Sequence, residues 1–151
     1  MIQQLYSAEA MKDFGARIGA LLRGGEVIEL VGDIGAGKTT FTKGLAKGLG
    51  IDEDIQSPTF TISRVYDSPK GIRLGHYDFY RLAEPGIMRA ELDEAVHEPT
   101  NVTVIEWAEV VSDVLPSDTL RLTITTIEEN SRNVLLVAGG ERSGRLLKEL
   151  Q

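Results

Sequence analysis

The chain has 151 residues, of which 42% are apolar and 26% charged, with no cysteine, two histidines and a net charge of −7. That balance predicts one soluble globular domain and excludes whole-chain disorder, disulfides and thiolate metal sites, and it fits a reducing compartment. The acidic excess disfavours a protein that grips nucleic acid unaided, while leaving room for one that works beside a partner holding it.

In chain order, residues 8–23 place Met11, Phe14, Ile18, Leu21 and Leu22 at helical spacing, with Ser7 as an N-cap and Gly24-Gly25 as the stop. Residues 26–31 (EVIELV) read as a strand. A glycine-rich turn follows, then a second helix from about Lys38 to Leu49 with Phe41, Leu45 and Leu49 on one face. Thr59–Tyr66 and Ile72–Phe79 read as a hairpin around the turn cluster DSPKG. Residues 83–97 carry an irregular helical pattern with Pro85 near the start. Val102–Ile105 is short and almost wholly apolar, the pattern of a strand buried on both faces. Residues 108–115 read as a short helix closed by Pro116. Leu120–Thr126 and Arg132–Ala138 form a C-terminal β-hairpin across the turn EENS, and Glu141–Leu150 a final helix. Helices and strands intermix, which predicts an α/β fold with a mixed, mainly parallel central sheet flanked by helices. No run approaches ~18 apolar residues, and no basic segment followed by an apolar core opens the chain, so neither a membrane span nor a secretory signal is expected.

The strongest signal is Gly32-Asp-Ile-Gly-Ala-Gly-Lys-Thr39, which fits G-x-x-x-x-G-K-[ST] between an apolar strand and an amphipathic helix. Glycine lets the backbone wrap close to a phosphate, successive N–H groups form an anion nest, and the helix adds its positive end. The expected nucleotide contacts are Asp33, Gly35, Ala36, Gly37, Lys38, Thr39 and Thr40. Lys38 would reach the β- and γ-phosphates of ATP, and the Thr39 hydroxyl would bind Mg²⁺. Such a loop needs an acid at the end of a neighbouring strand, and two qualify: Asp78 ends IRLGHYD, and Glu106 follows the apolar run Val-Thr-Val-Ile. By position alone either carboxylate also suits an N-cap or the surface. No N-K-x-D motif for guanine and no L-S-G-G-Q motif of transporter ATPases is present, and the arginines at 64, 73, 81 and 89 form no compact lid of the kind nucleotide kinases carry.

GDIGAGKTTFTKGL, SPTF at 57–60, HYDFYRL at 76–82 and VIEWAE at 104–109 follow the order and spacing of the bacterial TsaE family, formerly YjeE, and the chain resembles it from about residue 26 to 109. Residues 84–97 match only loosely. The resemblance implies a small P-loop NTPase fold and Mg²⁺-dependent ATP hydrolysis. It also implies a role in making threonylcarbamoyladenosine (t6A) in tRNA together with TsaD and TsaB, the partners holding the tRNA in the cytoplasm. By the same resemblance Thr59, otherwise a turn residue before a strand, senses the γ-phosphate or completes the Mg²⁺ shell. Asp78 supports hydrolysis by orienting the attacking water or holding a metal-bound water, and Glu106 is the Mg²⁺ ligand with Thr39, directly or through water. Arg132 contacts the nucleotide near its base, with Ser7 and Ala8 nearby, or else is a surface arginine. His76 shares a strand face with Asp78 and reads as a hydrogen-bonded core residue rather than a base. Trp107, the one tryptophan, packs in the core, walls the site or faces the partner. With no arginine finger identifiable, hydrolysis by the chain alone is expected to be slow. The rival readings are a small-molecule or nucleotide kinase and a nucleotide-sensing module.

Overall fold

A computed structural model describes residues 1–58, 63–80, 82 and 84–151. Its strands are β1 (Ile2–Leu5), β2 (Val27–Val31), β3 (Ser63–Asp67), β4 (Arg73–Asp78), β5 (Asn101–Glu106), β6 (Leu120–Thr126) and β7 (Arg132–Ala138). The helices are α1 (Ala8–Leu21), α2 (Lys38–Gly48), α3 (Met88–Val96) and α4 (Glu141–Leu150), and a 3-10 segment spans Ala108–Val114. The strands form one seven-stranded sheet in the order β1-β7-β6-β2-β5-β4-β3. The central strands β6, β2, β5 and β4 run parallel, and β1, β7 and β3 close the two edges antiparallel. This is the expected α/β architecture with its C-terminal hairpin.

Both faces of the sheet are covered over its parallel part. Ile28, Leu30, Leu74, Val102, Val104, Leu122 and Ile124 pack under α1, α2 and α4. Val27, Tyr77, Phe79 and Ile105 pack on the opposite side under α3 and the 3-10 segment. β5 is accordingly buried from Val102 to Glu106, as its unbroken apolar run predicts. Among the described residues no helix is long and apolar enough to cross a membrane.

Three elements differ from the sequence reading. β1 was not expected: four residues with two glutamines make a weak strand by themselves, and this one exists because it pairs antiparallel with β7. The helix expected from residue 83 begins at Met88, because Gly86 takes a left-handed backbone (φ 57°) that a helix interior cannot hold. The expected strand at Thr59–Tyr66 is seen as β3 from Ser63; its first part lies outside the described residues.

α1 and α2 cross with almost no gap. A Cβ on Gly15 or Gly19 would sit 2.3 or 2.2 Å from the carbonyl oxygen of Phe41 or Leu45, and one on Gly44 or Gly48 would sit 2.0 or 2.2 Å from that of Lys12 or Ala16. These glycines cost helix propensity, about 1 kcal/mol each relative to alanine. They are kept where the backbones meet, and the crossing sets the start of α1 beside the loop that opens α2.

Candidate active site

The loop Gly32–Gly37 leaves the carboxyl end of β2 and enters α2 at Lys38. Gly35 and Gly37 hold φ of 81° and 112°, in the left-handed region that favours glycine. A Cβ at Gly35 would meet nothing within 4 Å, so the loop curls around open space. The first turn of α2 has no acidic residue and no side-chain cap, which leaves its N–H groups and positive end free for an anion. These are the features a phosphate cradle requires.

β5 and β4 lie beside β2 in the sheet, and all three run parallel, so their carboxyl ends converge on the loop. Asp78 and Glu106 end β4 and β5 as direct register partners. Alternation along β4 turns His76 to the same face as Asp78. Gly35, Gly37, Lys38, Thr39, Thr40, Asp78 and Glu106 line one cleft of about 390 Å³. Tyr80, Ser57 and Trp107 complete its wall, and Ile34 stands on its lip, 71% exposed.

Lys38 is buried and donates from Nζ to the Gly32 carbonyl at 2.6 Å. Its ammonium lies 3.8 Å from Glu106 Oε1 and 4.2 Å from the centroid of the Trp107 ring. Trp107 therefore walls the site rather than simply packing in the core. Its backbone is left-handed (φ 56°, ψ 52°), a conformation rare for a bulky residue, and it stands directly after Glu106. Its ring leans on Tyr80, with centroids 4.9 Å apart.

The other oxygen of Glu106, Oε2, lies 2.6 Å from Nε2 of His76, whose side chain is wholly buried. His76 is thus the hydrogen-bonded core residue its place predicts, with the site's own carboxylate as partner. Burial pushes the Asp78 carboxyl above the usual carboxylate range. The Tyr80 N–H that it accepts (2.9 Å) pulls the other way, and the neighbouring Glu106 charge adds to the rise.

Arg132 and Ala36 line a second, smaller cleft of about 130 Å³ with Ser7, Ala8 and Met11; it shares Gly35, Gly37 and Thr40 with the first. The Arg132 guanidinium is committed to backbone: Nε donates to the Ala36 carbonyl at 3.0 Å, and Nη1 to those of Glu128, Glu129 and Ser131. Asp33 lines neither cleft, and its carbonyl accepts the Ala36 N–H in the turn of the loop. Thr59 and Arg81 lie outside the described residues.

The donors facing the larger cleft are hard oxygens, the Thr39 hydroxyl and two carboxylates, which suit Mg²⁺. Among the described residues no group of three or more metal-ligating side chains could hold an ion alone. A larger cleft, about 780 Å³, opens at the opposite end of β4 and β5. It is lined by Asp67, Glu91, Glu94 and Glu98 and by one cation, Arg73, which pairs with Asp67 at 3.0 Å, and it has no glycine-rich anion-binding loop.

Sequence reasoning missed the partner of His76, the packing of Lys38 on Trp107, and the backbone role of Arg132. The H-x-D spacing carried the only local hint of the first.

The family model described as "Threonylcarbamoyl adenosine biosynthesis protein TsaE" matches residues 5–134. The tRNA threonylcarbamoyladenosine biosynthesis protein TsaE of Bacillus subtilis (strain 168) is 38% identical over 142 residues, 94% of this chain and 88% of its own length. Its counterpart in Streptomyces coelicolor is 40% identical over 137 residues, 87% of this chain and 93% of its own. The crystal structure of YdiB from Bacillus subtilis superposes with a TM-score of 0.84 at 34% identity, across 99% of this chain and 93% of that one. The match through the phosphate loop, both acids and the C-terminal hairpin places the chain in the TsaE family.

Proposed function

We propose that this protein is a Mg²⁺-dependent ATPase that serves t6A formation in tRNA, acting in the cytoplasm with TsaD and TsaB, and that hydrolysis resets or activates their threonylcarbamoyl-transfer complex. The observation that carries the reading is the convergence of the glycine loop, Lys38, Asp78 and Glu106 on one cleft at the carboxyl ends of parallel strands.

In this reading the loop amides and the start of α2 bind the phosphates, and Lys38 leaves the Gly32 carbonyl for the β- and γ-phosphate oxygens. Thr39 and Glu106 hold Mg²⁺, which supplies neutralisation of phosphate charge. Asp78 would orient the attacking water or help hold the hydration shell of the ion. The base lies toward Ser7, Ala8 and Arg132, and Thr59 senses the γ-phosphate. Catalysis is electrostatic, with no covalent nucleophile. Among the described residues no arginine lines the phosphate cleft, so turnover by the chain alone is slow and the partners complete the site.

The test measures ATP turnover by the purified chain with and without TsaD and TsaB, with threonylcarbamoyl transfer to tRNA followed in the same reaction. Turnover should rise with the partners, and Lys38→Ala should abolish both turnover and repeated rounds of modification. If the partners change nothing and a small metabolite stimulates ADP formation instead, the protein is a kinase and this reading fails.

A further inference from the structure

His76 is the most deeply buried polar group near the cleft, at 0% exposure, and the mechanism above does not use it. Its ring makes one polar contact among the described residues, the 2.6 Å bond from Nε2 to Glu106 Oε2; Nδ1 has no partner there. Toward an ionised carboxylate, which only accepts, Nε2 is the donor of that bond. The one hydrogen bond of the ring is therefore made to Glu106.

The consequence lies on the other side of the carboxylate. Glu106 and Lys38 are both buried and opposite in charge, yet Oε1 and Nζ stand 3.8 Å apart, beyond a direct hydrogen bond. One of the three Lys38 N–H donors goes to the Gly32 carbonyl at 2.6 Å, and none reaches Glu106 at hydrogen-bond distance. Between side chains this buried, an unrestrained carboxylate would close onto the ammonium, where the mutual attraction is strongest. A lysine neutralised in that way is a poor ligand for phosphate.

We infer that His76 is a positioning residue of the nucleotide site: by holding Glu106 Oε2 it keeps the carboxylate off Lys38, so the ammonium stays available to phosphate and Oε1 stays turned toward the cleft. The inference rests on the nucleotide-binding reading above. It assigns His76 no contact with substrate and no proton transfer.

The test uses the full chain and reads binding rather than turnover. Trp107 is the only tryptophan and its ring lies 4.2 Å from the Lys38 ammonium, so its emission reports on the site. ADP is titrated without Mg²⁺ into the unmodified chain, His76→Leu, His76→Gln, Glu106→Gln and the His76→Leu/Glu106→Gln double variant. Leucine fills the space without a donor, and glutamine keeps an N–H at the ε position. His76→Leu should weaken ADP about tenfold, the scale of one charge-assisted contact. His76→Gln should stay within about twofold, and the double variant should bind like Glu106→Gln alone, since an uncharged partner has nothing to close onto.

Equal loss for leucine and glutamine, or an equal loss from His76→Leu with Glu106 neutral, would make His76 a packing residue and overturn the inference. A second measurement needs no variant: ¹⁵N spectra of the imidazole should show a proton on Nε2, and an unprotonated Nε2 overturns the inference even if His76→Leu does not fold. No response to ADP in the unmodified chain overturns the nucleotide reading and this inference together. A normal response there and in every variant overturns the inference alone.

Discussion

Asp78 and Glu106 face each other as register partners at the carboxyl ends of β4 and β5, two buried carboxylates on one face of the sheet. The Glu106 charge so placed opposes ionisation of Asp78, which adds to the burial that raises the Asp78 carboxyl. Between the ordinary carboxylate value near 3.8 and the raised folded value, the folded state holds more protons than the unfolded state. Stability therefore falls as pH rises through that window and stays lowered above it. Asp78→Asn should raise the melting temperature by a few degrees at pH 7 and give no gain below the unfolded value, while turnover drops roughly 10²–10³-fold. Thermal melts at pH 7 and pH 3, with an ATPase assay at pH 7, check the sign of both effects.

Lys38 is the one cation lining the phosphate cleft among the described residues. Lys38→Ala should weaken ATP by roughly 10–100-fold, the range for charge-assisted bonds to phosphate. Calorimetric titration gives the loss directly. The same variant should shift Trp107 emission without nucleotide, because the ammonium over the ring is gone.

Arg132 ties the phosphate loop to the β6–β7 turn by bonding Ala36 with Nε and three turn carbonyls with Nη1. A lysine ammonium cannot span both sets. Arg132→Lys should therefore weaken ATP and pyrophosphate alike by about tenfold, since the loop that holds the phosphates is what loosens. Parallel titrations with the two ligands decide this.

The α1–α2 crossing allows a paired test on glycine. Gly44→Ala drives a Cβ to 2.0 Å from the Lys12 carbonyl and should cost about 3 kcal/mol or prevent folding. Gly144→Ala in α4 meets nothing within 4 Å and should stabilise by roughly 0.5–1 kcal/mol. Urea unfolding of the two variants separates close packing from helix propensity.

What the amino-acid sequence determined by itself was local. The curl of Gly32–Thr39, the apolar runs of β2 and β5, the β3–β4 and β6–β7 hairpins, and an acid at the end of each of two strands follow from turn chemistry and period within a few residues. The tertiary structure decided what lies far apart along the chain. β1 exists because β7 offers it an edge. His76 meets Glu106 thirty residues on because β4 and β5 pair in one register, and a shift by one would turn both to opposite faces. Arg132 reaches Ala36 across 96 residues because β7, β6 and β2 are neighbours in the sheet. Strand register and helix crossing minimise the energy of the whole packed chain, so no short window of sequence carries them.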